Sequence, residues 1–265
     1  MMSGMTKMCE ETKFHTRIMK CTLEVEHSRA YWKHCQEVDG AVSSQDAFEK
    51  ATFGSRSFPR VERIMADMRH RFDAFPFALD VLKRWPGMSP EDRVLNCHWH
   101  MQLADPLYRA FTGNLLVDRY AGPRASVDRD LVVNWIESLA PYRWQMPSRL
   151  KIASKLMTSA MSAGLLESKR DPRTIRFPRV SDTALTYAMY LLRPIDFEGT
   201  LVENPYWASV GFDFESLVVR SRLLPALQFS RQGTLVDFGW RFDSLESWAE
   251  DLGALIPNAA QKAVS

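Results

Sequence analysis

Apolar residues recur every three or four positions along most of this chain, which predicts a largely α-helical protein. The repeats run through residues 22–37, 44–51, 59–72, 74–85, 90–111, 129–139, 147–163 and 182–192. Proline and glycine interrupt the pattern between these segments, for example at Gly40, Pro86 and Gly122, where they mark turns. We therefore predict a mainly α fold built from consecutive amphipathic helices.

Residues 147–180 contain the most informative pattern, a basic helix followed by a glycine, a charged turn and a short strand. Gly164 stands where the absence of a Cβ permits the left-handed turn that ends many helices. Residues 174–177 alternate as a strand does, after a turn at Asp171 and Pro172. This order is typical of the second half of a winged helix. We predict winged-helix-like β-hairpins here, near Arg170, and again near Gly233.

Positive charge is concentrated in the same region. Residues 141–179 hold nine basic and two acidic side chains, whereas the whole chain has a net charge of only +2. A local cluster of this kind favours one nucleic-acid surface over general binding of polyanions. One face of the helix also mixes cations with short hydroxyls, which suits a phosphate-lined groove. The predicted DNA contacts of this region are Arg149, Lys151, Ser154, Lys155, Thr158, Lys169, Arg170 and Arg173.

A second helix-turn-helix pattern lies at residues 46–72, where a short helix and a turn precede a longer helix. Five arginines and two acids, Glu62 and Asp67, fall between positions 56 and 71. Four of these arginines join the predicted DNA contacts, namely Arg56, Arg60, Arg63 and Arg71. The alternative is a solvated helix whose acids neutralise part of its basic face. An RNA ligand also stays open, because it offers the same phosphates.

Motifs for catalysis and metal binding are weak or missing. Cys97, His98 and His100 lie close together, but alternate positions on a helix converge poorly on one ion, and no CxxC or HExxH pattern accompanies them. Phosphate-binding, dinucleotide-binding and nucleophile-elbow motifs are absent from the sequence. We therefore predict a non-enzymatic protein with no metal and no cofactor.

Cysteine usage and length place the chain among soluble proteins. Four cysteines without a paired framework, and no secretory segment before them, predict a reduced, cytoplasmic protein. No apolar run approaches the roughly 20 residues that span a bilayer, so no membrane partner is expected. We predict a loose lead-in at 1–21, a helical N-terminal domain at 22–122, a winged-helix-like domain at 123–194 and a C-terminal extension with a β-hairpin at 195–265.

The order of these elements resembles the BrxA family of BREX bacteriophage-defence systems. The similarity lies in LEVEHSRAYW at 23–32, the arginine-rich helix through Arg71, DPLYRAF at 105–111, the helix at 128–139 and the run at 156–166 before a proline-containing strand. It covers residues 22–192. The resemblance implies a small, mostly helical protein with helix-turn-helix or winged-helix subdomains that binds double-stranded DNA without known catalysis.

The predicted function is therefore a non-catalytic DNA-binding component of a phage-defence system that acts with other defence proteins. Two alternatives stay open. A winged-helix transcription regulator would prefer one operator sequence strongly. A protein-interaction scaffold would use its charged helices to meet partner subunits instead of DNA. The sequence leaves the oligomeric state open.

Overall fold

Helices dominate the computed structural model, which describes residues 8–38, 42–232 and 235–255. The α-helices are α1 (Val25–Glu37), α2 (Ser44–Glu49), α3 (Phe58–Phe72), α4 (Pro76–Lys83), α5 (Pro90–Ala104), α6 (Pro106–Ala110), α7 (Leu116–Ala121), α8 (Arg129–Leu139), α9 (Met146–Ser162), α10 (Asp182–Leu192), α11 (Pro205–Ala208), α12 (Phe214–Ser221) and α13 (Leu245–Asp251). The prediction of a mainly α fold is confirmed.

The strands are short and pair in twos. Parallel strands β1 (Met8–Cys9) and β4 (Ile195–Asp196) form one pair. The antiparallel pairs are β2 (Ser126–Val127) with β3 (Arg173–Thr174), and β5 (Leu227–Gln232) with β6 (Leu235–Trp240). The last pair is the hairpin predicted near Gly233, although its tip at 233–234 lies outside the described residues.

Capping residues account for several helix starts. The side chains of Ser89, Asp128 and Ser181 each accept a hydrogen bond from a backbone N–H three residues later, at the starts of α5, α8 and α10. Such a bond satisfies one of the donors that a helix start leaves without a partner. Helices α8 and α10 accordingly have the bounds that the sequence predicts.

The long helix predicted at 90–111 is instead divided. Asp105 ends α5 and begins α6, because its carboxylate accepts hydrogen bonds from the backbone N–H groups of Leu107 and Tyr108 at 3.0 Å. A π-helical turn at Phe111–Leu115 then joins α6 to α7. Gly113 in this turn lies against Pro205, where a Cβ would come within 2.5 Å of the proline Cβ. The turn therefore requires glycine for close contact with α11.

Helices α5 and α10 lie in the core. Every residue from 95 to 104 and from 184 to 192 is buried, which explains why α5 shows no clear amphipathic stripe. Its polar side chains are hydrogen-bonded inside the core. His98 lies 2.9 Å from both the Tyr108 hydroxyl and Ser209 Oγ, and His100 Nε2 lies 2.8 Å from the Tyr187 hydroxyl. Burial lowers the pKa of each histidine to about 3, so both rings are neutral near pH 7.

Residues 8–21 are not the loose lead-in that the sequence predicts. Strand β1 pairs with β4, nearly two hundred residues later. Glu10 is buried, with its carboxylate 3.3 Å from Arg109 Nε and hydrogen-bonded to the Tyr206 hydroxyl. The backbone N–H of Glu11 donates to the Leu103 carbonyl at 2.8 Å. These contacts with residues distant in sequence hold the segment in place. The polar composition of the segment itself does not indicate them.

The C-terminal segment also joins the common core. Arg84, buried after α4, pairs with Asp80 at 2.8 Å and with Glu246 of α13. Buried residues from all four predicted segments, including Ile18, Trp99 and Trp248, belong to one hydrophobic cluster. The four cysteines are free thiols, and no helix in the described part of the chain has the length and apolar character needed to cross a membrane.

Candidate nucleic-acid interface

Residues 125–176 form a small unit in which extended segments support two helices. Ser126 of β2 lies opposite Thr174 of β3, and Leu166 forms a bridge with Ile175. The backbone N–H of Ile175 donates to the Ala125 carbonyl at 2.9 Å. The segment after the turn therefore pairs with the chain before α8 on one side and with the chain after α9 on the other.

Helix α9 has a buried face and a polar face. Its buried residues are Ile152, Ala153, Leu156, Met157, Ser159 and Ala160. The predicted polar stripe lies outside this set, at Lys151, Ser154, Lys155, Thr158 and Ser162. Because these positions are three or four residues apart, they share one side of the helix. The structure thus brings together the residues that the sequence predicts for α9, apart from Arg149.

The hydroxyls on this stripe are already used as donors. Each hydroxyl donates to the backbone carbonyl four residues earlier. The distances are 2.9 Å from Ser154 to the Leu150 carbonyl, 2.7 Å from Thr158 to the Ser154 carbonyl and 3.1 Å from Ser162 to the Thr158 carbonyl. A hydroxyl carries a single proton, so in this arrangement each offers only acceptor lone pairs to a ligand. Phosphate oxygens are acceptors too. Ser154 and Thr158 consequently suit the amino group of a base better than a phosphate.

Two of the predicted DNA contacts instead form ion pairs within the protein. Arg149 lies 2.5 Å from the carboxylate of Glu137, and Arg173 lies 3.0 Å from that of Asp171. Four other predicted cations have no carboxylate within ion-pair distance in the described part of the chain, and these are Lys151, Lys155, Lys169 and Arg170. Among the predicted DNA contacts of this region, the charge without a carboxylate partner therefore lies on the stripe of α9 and at the turn after it.

The turn that carries Lys169 and Arg170 is fastened to the start of α8. One carboxylate oxygen of Asp171 accepts from the backbone N–H of Arg129 at 3.1 Å, and the other accepts from Arg173 Nε at 3.0 Å. Lys169 and Arg170 are exposed beside this anchor. The two cations thus project from a turn whose backbone is tied to the helix pair.

Comparisons with known proteins bear on the fold of the chain. No family model matches the sequence, and no curated protein matches it. The structure is similar to the crystal structure of an uncharacterized protein from Magnetospirillum magneticum, with a TM-score of 0.56 and 16% sequence identity over 69% of this chain and 98% of that one. This likeness shows a shared fold.

The arginines of the second predicted site divide into two groups. Arg56, Arg60 and Arg63 are exposed, and within the described residues only the Arg63 side chain forms a hydrogen bond, from its Nε to the Pro59 carbonyl at 3.2 Å. Arg71 is only 3% exposed. It pairs with Asp67 at 2.5 Å and donates to the carbonyls of Thr22 and Leu23, which precede α1, at 2.7 and 2.8 Å.

The prediction that Arg71 contacts DNA is therefore wrong. Its guanidinium is enclosed in the core and its donors are committed to the protein. Arg71 follows Ile64 by seven residues and Met68 by three, which places it on the buried side of α3. This spacing was the feature of the sequence that could have identified its structural role.

The Cys97, His98 and His100 motif faces the core. Cys97 is buried, and burial raises the pKa of its thiol to about 12. Both histidines are engaged with hydroxyl groups, as described above. Among residues 8–38, 42–232 and 235–255, no three His, Cys, Asp or Glu side chains are grouped so that they could hold a metal ion.

Proposed function

We propose that this protein binds double-stranded DNA without catalysing a reaction, as a component of a BREX-type phage-defence system. The observation that carries the proposal is a set of four cations on one helix stripe and one anchored turn that have no carboxylate partner among the residues the structure describes, namely Lys151, Lys155, Lys169 and Arg170. Cations without internal carboxylate partners are free to neutralise phosphates.

The order of elements supports a winged-helix interpretation of this region. Strand β2, helices α8 and α9, and the two extended segments around Lys169 follow one another as in that motif. In this interpretation α9 enters the major groove and the turn at 167–172 is the wing. The polar stripe of α9 then faces the bases, where Ser154 and Thr158 accept hydrogen bonds.

The chemistry of the four cations predicts the mode of binding. Lysine and arginine contacts to phosphate position a protein on the duplex but carry no sequence information. Binding releases counterions, so the affinity falls steeply as salt increases. We accordingly expect strong salt dependence and weak sequence preference. The exposed arginines Arg56, Arg60 and Arg63 extend the proposed footprint to the start of α3.

The phage-defence assignment depends on the resemblance of residues 22–192 to the BrxA family. The mainly helical fold is the one that this resemblance implies, and α3, α8 and α9 all lie within the stretch it covers. In this role the protein would hold duplex DNA for partner proteins of the same system. The segment after residue 194 lies beyond the resemblance.

A charge-matched pair of variants tests the DNA proposal. The triple variant Lys151→Ala/Lys155→Ala/Arg170→Ala removes three charges from the site. The control Lys13→Ala/Lys20→Ala/Lys50→Ala removes three charges from exposed positions elsewhere. In a gel-shift titration with random-sequence duplex, we expect at least tenfold weaker binding for the first variant and a small change for the control.

The outcomes separate the proposal from its alternatives. Equal binding by wild type and the site variant would refute the assigned surface. A sharp preference for one duplex sequence would favour a transcription regulator over the proposed role. The absence of binding at low salt would favour a protein scaffold.

A further inference from the structure

A cavity of about 260 Å³ lies between α1, the end of α4 and the start of α5. Four of its nine lining residues are cations, Arg29, Lys33, Lys83 and Arg93, and none is acidic. None of the nine belongs to the DNA-binding surface proposed above. The chain therefore places four cations around a concave site that is separate from the surface proposed to bind DNA.

The local structure explains why these residues meet. Trp32 and Lys33 follow Arg29 by three and four positions, so both lie beside it on the surface of α1. Lys83 is the last residue of α4, and Arg93 lies in the first turns of α5. Trp85, in the connection between α4 and α5, also lines the cavity. Three elements thus direct basic side chains to one place.

The carboxylates that pair with these cations do not line the cavity. Arg29 and Arg93 both lie 3.8 Å from Glu26, and Lys33 lies 3.7 Å from Glu37. The side chain of Glu26 is 75% exposed and that of Glu37 is 49% exposed. Ion pairs at such distances with exposed carboxylates contribute little to the stability of the fold. Only the contact of Lys83 with Asp80 is short, at 2.7 Å. Arg29 and Lys33 are therefore free to turn toward an anion in the cavity, whereas the Arg93 guanidinium is held in place because it also donates to the Met88 carbonyl at 3.1 Å.

The remaining polar groups at this site also favour an acceptor-rich ligand. Arginine, lysine and the indole N–H are donors without acceptor capacity. Trp32 is only 4% exposed, and its Nε1 has no hydrogen-bond partner in the part of the chain that the structure describes. Buried N–H groups in proteins normally have a hydrogen-bond acceptor. Trp32 lines the cavity, and an oxyanion bound against its indole N–H would supply the missing acceptor.

We propose that this cavity binds a small phosphate-bearing ligand through its phosphate groups. A phosphate offers several charged acceptor oxygens, which match four cations better than a single carboxylate does. The volume is close to the lower end of small-molecule pockets, about 300–1,000 Å³. A duplex, in contrast, needs an extended open surface. This site is independent of the proposed DNA interface.

Calorimetric titration with inorganic pyrophosphate at constant ionic strength tests the proposal in the full-length protein. The site variant is Arg29→Gln/Lys33→Gln, because both side chains are more than half exposed and neither is needed for packing. The control is Lys20→Gln/Lys50→Gln, two exposed cations outside the cavity. We expect the site variant to bind pyrophosphate at least tenfold more weakly, the change expected from loss of one or two charged hydrogen bonds. The control should bind as wild type does.

Several outcomes would overturn the proposal. One is that wild type shows no measurable binding of pyrophosphate. Another is that the control variant binds pyrophosphate as weakly as the site variant does. A third is that pyrophosphate binding is weakened in Lys151→Ala/Lys155→Ala/Arg170→Ala and not in the site variant. A gel shift separates this proposal from the DNA proposal. We expect Arg29→Gln/Lys33→Gln to retain duplex binding. If it loses duplex affinity as the α9 variant is predicted to do, the cavity is part of the DNA surface and not a small-ligand site.

Discussion

Arg71 provides a quantitative test of how α3 is joined to the start of α1. In the variant Arg71→Met, the buried carboxylate of Asp67 loses its partner, and the carbonyls of Thr22 and Leu23 lose a donor. Removing one partner of a buried ion pair costs about 3–5 kcal/mol. Native domains are stable by only about 5–15 kcal/mol. We therefore expect the variant to lose a large part of the free energy of unfolding.

Urea unfolding followed by tryptophan fluorescence measures this loss. Arg60→Met is the matched control on the same helix, because Arg60 is exposed, and we expect it to change the free energy of unfolding by less than about 0.5 kcal/mol. Adding Asp67→Asn to Arg71→Met should restore part of the lost stability, since no unpaired charge then stays buried. A cost below about 1 kcal/mol for Arg71→Met would refute this reasoning, as would an equal cost for the control.

Two further predictions concern the core. Gly113→Ala would place a Cβ 2.5 Å from that of Pro205 and should destabilise the fold by about 1–3 kcal/mol in thermal or urea unfolding. Gly87→Ala, with no atom within 4 Å of the added Cβ, should not destabilise it. Burial lowers the pKa of His98 and His100 to about 3. Below pH 6.5 these histidines therefore bind protons in the unfolded chain but not in the folded chain. The free energy of unfolding should thus fall between pH 6.5 and 3, by up to about 1.4 kcal/mol per pH unit for each histidine. In urea unfolding at pH 7 and 5, His98→Gln/His100→Gln should show a smaller fall, and an equal fall would contradict the assignment.

Local sequence patterns predict the parts of this fold that depend on neighbouring residues. Capping residues and proline placed α8 and α10 at their observed bounds, and the spacing of Lys151 and Lys155 identified the polar stripe of α9. These features depend on residues within one helix or one turn. The bounds of these helices and the polar stripe can therefore be predicted from the sequence alone.

Tertiary contacts account for the predictions that failed. Arg71 was assigned to the surface because of its charge, although its spacing from Ile64 and Met68 places it on the buried face. The partner of β1 is β4, far along the chain, so no local pattern in residues 8–21 could predict that pairing. The cavity beside α1 likewise unites cations from separate helices, and only the folded chain brings them together.

Salt-dependent binding of random-sequence duplex DNA tests the central claim most directly. Each phosphate contact contributes about 0.9 to the slope of log affinity against log salt concentration. We expect wild type to bind with a steep negative slope. Replacing Lys151, Lys155, Lys169 and Arg170 together by alanine should weaken binding and reduce the slope by about 3 to 4. The same slope and affinity in the variant, or no binding by wild type at low salt, would contradict the proposed DNA interface.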